Sequence, residues 1–180
     1  MAEINLNLKE EIIRDHSKEQ AIRLTNYIGN DSEKFAELME LFFSSEYRIN
    51  QWASWMVSHC ADRHPGLLKP YLERMIKNLD NPVHDAVLRN TIRIFQDIEI
   101  PEPLMGELAD KCYQYLQNPQ YPVAIRVFSM TVLYNISLTW PELQPELKMI
   151  IQEHLPYGSP GFQSRGKKII KNLEKFQTSA

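Results

Sequence analysis

A spacing of 38 residues constrains this chain more than any other feature. Ile49, Ala53, Met56, Val57 and Cys60 recur one period later as Val87, Thr91, Ile94, Phe95 and Ile98, and again as Ile125, Ser129, Val132, Leu133 and Ile136. Steps of 4, 3, 1 and 3 place the five positions on one stripe of an α-helix, whereas a strand would need alternation. Three gapless copies of one stripe mean that a single packing solution is reused, each unit burying its apolar face on its neighbours. A second series runs beside the first: Phe35, Leu38, Met39 and Phe42 return as Leu72, Met75, Ile76 and Leu79, then as Leu108, Cys112, Tyr113 and Leu116, and last as Leu147, Ile150, Ile151 and Leu155. Each unit therefore holds two amphipathic helices.

Helix breakers fall where such pairs must turn. Asn81-Pro82 and Asn118-Pro119 separate first from second helix, Pro65, Pro101 and Pro141 lie between units, and Gly158-Ser159-Pro160-Gly161 opens the last helix. The pattern predicts helices over about 7–14, 17–28, 32–44, 46–62, 66–79, 83–97, 102–117, 121–137, 141–154 and 160–176, and no strand. The terminal copies are degenerate, with Ala21, Leu24, Thr25 and Ile28 at one end and Gly166, Ile169, Ile170 and Leu173 at the other. A terminal unit has one neighbour only, so its stripe relaxes. The expectation is one all-α repeat domain over residues 1–180.

Chemistry finds little foothold. No Gly-x-Ser-x-Gly, glycine-rich phosphate loop or repeated Cys/His spacing occurs, so no catalytic residue, cofactor or metal is expected. His59 and His64 stand five apart, whereas two ligands on one helix face need three or four, and His84-Asp85 after a turn reads as a helix cap. Cys60 and Cys112 occupy apolar positions of different helices and read as reduced small hydrophobes. The net charge of -3 gives no global bias toward nucleic acid. No apolar run approaches the roughly 18 residues that span a bilayer, and the start lacks a signal core, so a cytoplasmic protein without membrane attachment is expected.

The run Pro65, Leu68, Pro70, Leu72, Ile76 and Leu79, followed by Asn81-Pro82 and Arg89, with Pro141, Leu143, Pro145, Leu147 and Leu155 two units on, resembles HEAT repeats of the armadillo-like superfamily. Arg48, Arg89, Arg126 and Arg165 match the basic residue early in the second helix of that repeat, and the resemblance covers residues 17–176. Small bacterial HEAT-like proteins are similar. The resemblance implies a right-handed α-α superhelix, a HEAT-like solenoid of about four to five helix pairs. It is nearly silent on function, because such arrays serve many roles.

In such an array the second helices face the concave side. Beside the apolar stripe the register aligns Trp55, Arg93 and Thr131, then His59, Asp97 and Asn135, with Trp52, Asn90 and Phe128 at its edge. Aromatic and cationic residues in rows suit a protein or peptide partner. Trp52, Trp55, His59, Arg93, Asp97, Arg126 and Asn135 form the candidate set for a noncatalytic binding scaffold. The alternative is a DNA-binding protein resembling the alkylpurine DNA glycosylases, which share the architecture. It would cast Trp52, Trp55, Arg93, Arg126 and Asp97 around a lesion, but the acidic total disfavours it. In the last helix, Arg165, Lys167, Lys168 and Lys171 concentrate positive charge and are candidates for a phosphate or acidic-partner contact.

Overall fold

A computed structural model of the chain describes residues 6–80 and 84–178, with backbone alone for 176–178. Among the described residues there are ten α-helices and no strand: α1 (Leu8–Arg14), α2 (Lys18–Ile28), α3 (Ser32–Phe42), α4 (Tyr47–Arg63), α5 (Leu72–Asn78), α6 (Asp85–Phe95), α7 (Glu102–Gln117), α8 (Val123–Thr139), α9 (Gln144–His154) and α10 (Pro160–Thr178). The Asn81-Pro82 turn lies outside the described residues. Contacts divide the chain into two compact units, the first ending at Ile94 and the second starting at Phe95.

In the first unit α4 is the hub. It packs on α1, α2 and α3 and on the 3-10 segment Pro65–Tyr71. Short polar side chains start its helices: Asn7 accepts from the Glu10 N–H, Ser17 from Gln20, and Asp31 from Glu33 and Lys34, meeting donors that have no partner within a helix. Gly29 ends α2 at φ +53° and donates its N–H to the Thr25 carbonyl, a conformation that a side chain would strain. Before α6, the His84 ring rather than the Asp85 carboxylate takes the capping position, Nδ1 accepting from the Ala86 N–H at 2.9 Å.

In the second unit α8 is the hub, packed on α7, α9 and α10. At Gly166 of α10 an added Cβ would stand 2.8 Å from a Leu155 methyl and 2.9 Å from an Ile151 methyl. The glycine in that degenerate stripe thus leaves room for Leu155 and Ile151 to pack against α10.

The three-copy stripe is buried throughout except at Ile98, which is half-buried. The helix expected over 83–97 stops at Phe95, so Ile98 and Asp97 stand beyond it. Two first helices also differ from expectation. Segment 66–79 is a 3-10 run, Pro65–Tyr71, followed by α5, and 141–154 is a 3-10 turn, Pro141–Leu143, followed by α9. Prolines explain both, since Pro70 and Pro145 lack the N–H that a continuous α-helix would use. In the partner series Tyr113 and Leu155 are half-buried, and Tyr113 donates its hydroxyl to the Leu143 carbonyl at 3.2 Å.

Candidate functional site

Polar rungs tie neighbouring repeats within each unit, and the candidates Arg93, Asn135 and Arg165 belong to them. In the first unit Asn90 on α6 donates to Ser54 Oγ on α4 at 3.0 Å. One turn along, Arg93 donates from Nη1 to Ser58 Oγ and from Nη2 to both Asp62 carboxylate oxygens, at 3.1 and 2.9 Å. Bonded on both sides of its fork, this guanidinium has a fixed plane. Beside it on α4, Trp55 and His59 are half-buried with ring centroids 5.4 Å apart. Burial is the largest influence on the His59 ring and holds its pKa below the usual 6.5; Asp62 opposes this, while Arg93, Arg63 and Lys18 reinforce it. Its Nε2 is shielded and has no hydrogen-bond partner. Trp52 is held differently, its ring lying 3.5 Å from that of the exposed His16. Trp55, His59 and Arg93 are therefore brought together, and Trp52 faces the segment between α1 and α2.

In the second unit the exposed Asn135 donates its amide to the Gln96 carbonyl at 2.8 Å. Arg165 is half-buried and reaches Thr131 Oγ1 and, at 3.2 Å, Gln96 Oε1. It is thus separated from Lys167, Lys168 and Lys171, which are exposed on α10. Asp97 is exposed in the bend after α6 and does not occupy the helical row expected for it.

Arg126 departs furthest from expectation. It is buried, with Nε donating to the Leu116 carbonyl at 3.0 Å and its guanidinium 4.7 Å from the Phe162 ring centre. It satisfies a carbonyl at the end of α7 and offers no contact surface. Ser54, Ser58, Asp62 and Gln96, which hold the rungs, lie outside the rows that the 38-residue register aligns. The one cue is two serines four apart in an apolar helix, but they precede Asn90 and Arg93 by 36 and 35 residues and so fall off the 38-residue register.

No helix among the described residues is long and apolar enough to cross a membrane. No three His, Cys, Asp or Glu side chains among them gather as a metal site would need.

Helix pairs reusing one stripe, joined by repeated rungs between second helices, define a helical repeat protein. The chain belongs to the HEAT repeat domain family, whose model matches residues 8–173. Neither the curated proteins nor the solved structures contain a match to it.

Proposed function

We propose that this repeat scaffold is noncatalytic and holds a protein or peptide partner, with Trp55, His59 and Arg93 as the contact face of the first unit. The observation that carries the reading is preorganisation. Arg93 is fixed by Ser58 and Asp62, and the Trp55 ring, off the buried stripe, is backed by His59. Trp and Arg that are already ordered lose little entropy on binding, and they are the residue types that dominate binding hot spots. In the second unit the exposed Asp97 and Asn135 are the corresponding contact positions. Lys167, Lys168 and Lys171 are the next place for an acidic partner.

A DNA-binding role is less well supported, because Arg126 is buried and Arg93 is neutralised by Asp62. Two cations needed to offset phosphates are thereby taken.

Affinity capture from lysate with wild type and with a Trp55→Ala/His59→Ala variant of unchanged helicity tests the proposal. Proteins captured by wild type should be depleted severalfold by the variant. Equal recovery overturns this choice of face.

A further inference from the structure

We propose that the second unit carries a separate docking pocket for a peptide segment presenting one bulky apolar side chain beside lysine or arginine. This goes beyond the Trp55 face and does not depend on it. A cavity of about 360 Å³ lies under the segment joining α6 to α7, walled on its apolar side by Ile98, Met105, Val132 and Ile136. That volume is at the lower end of the roughly 300–1,000 Å³ typical of ligand sites, so it suits one large side chain rather than an extended ligand.

The cavity has a cause in the repeat. Cys60 and Ile136 close the stripe from within α4 and α8 and are buried. Their counterpart Ile98 falls past the end of α6, so it leaves the interior half-exposed and lends its apolar surface to the cavity. Water against such a surface is unfavourable, and an apolar occupant relieves that cost.

Charge selects the occupant's flanks. Glu99 and Glu102 line the cavity, both are exposed, and among the described residues no lysine or arginine lines it. Glu102 opens α7, where the helix dipole contributes about half a positive charge, which two full carboxylate charges exceed. The local field therefore favours a cation next to the inserted side chain and disfavours an acidic segment. Asn135 also lines the cavity; with its amide donated to the Gln96 carbonyl, its Oδ1 is left to accept a main-chain N–H from the segment.

The test titrates the full ¹⁵N-labelled chain with three synthetic peptides of equal length in a Gly-Ser frame, carrying a central Lys-Leu-Lys, Glu-Leu-Glu or Lys-Ser-Lys. The Lys-Leu-Lys peptide should shift the amides of Ile98, Met105 and Asn135 saturably, and the other two should not. The exposed pair Glu99→Gln/Glu102→Gln should weaken that binding by up to about tenfold, as expected for two rim charges. No saturable shift, or an equal response to Glu-Leu-Glu, overturns the proposal. So do pocket shifts that appear with protein concentration alone, which would make a second copy the occupant. Shifts confined to Trp55 and His59 would refute this pocket while favouring the first-unit face, so the two readings fail separately.

Discussion

Asn90 donates its side-chain amide to Ser54 Oγ at 3.0 Å between two helices, with both residues buried. Ser54 passes its own proton to the Gln51 carbonyl at 2.7 Å, so the hydroxyl is used in both directions. Ser54→Ala leaves the Asn90 amide buried with no acceptor there and should cost about 1–3 kcal/mol. Asn90→Ala leaves Ser54 its carbonyl partner. In urea unfolding, the double variant should cost less than the sum of the singles by at least about 0.5 kcal/mol. Additive costs would show that the rung contributes nothing.

Phe95 and Ile98 belong to one sequence stripe but differ in burial. Phe95 is 1% exposed, and Phe95→Ala should cost about 3–5 kcal/mol through lost burial and a residual cavity. Ile98, beyond the helix and half-buried, should cost about 1–2 kcal/mol when truncated, since less apolar area returns to water. Equal losses in parallel denaturation curves would contradict the early end of α6.

The order of helices and the core are legible because burial on a repeated face writes itself into sequence as a period, and breakers such as Pro101 and Asn118-Pro119 mark the gaps. Residue roles are less so. A period assigns Arg126 to a helix face, but not whether Phe162, 36 residues on, will cover it. The register aligns Asp97 in a row only if α6 continues, and the helix ends two residues too soon. Arg93 stands out by its register beside the apolar stripe, while its partners Ser58 and Asp62 carry no periodic signal that pairs them with it.

Burial of Arg126 also gives a prediction that a surface role does not. Arg126→Lys preserves the charge but removes the Nε donor to the Leu116 carbonyl and the planar contact with Phe162. It should destabilise the chain by about 1–3 kcal/mol, because a carbonyl at the helix end loses its partner. A melting temperature equal to wild type would refute this role.

Cys60 and Cys112 are both unpaired and fully buried, and burial pushes each thiol up to about 12. A thiol so held is neither accessible nor ionised near neutrality. The native protein should react with a disulfide reagent only at the rate of its opening, and in denaturant both thiols should react at once. Rapid reaction of either native thiol would place it at the surface and contradict the packing.

His59 provides a pH signature. Its folded pKa lies below the usual 6.5, with burial the larger cause, Asp62 opposing, and Arg93, Arg63 and Lys18 adding to it. The folded state therefore prefers the neutral ring, while the unfolded chain protonates near 6.5. Above that value the ring is neutral in both states, and its contribution to stability is fully present. As pH falls below 6.5 the unfolded state takes up protons first, so the contribution is lost progressively until the folded ring protonates too. Urea unfolding at about pH 7.5 and about pH 5.5 should show a smaller drop in stability for His59→Gln than for wild type. A ring-proton titration should place the His59 midpoint below 6.5. A midpoint above it would mean that Asp62 outweighs burial, and the drop would then belong to other groups.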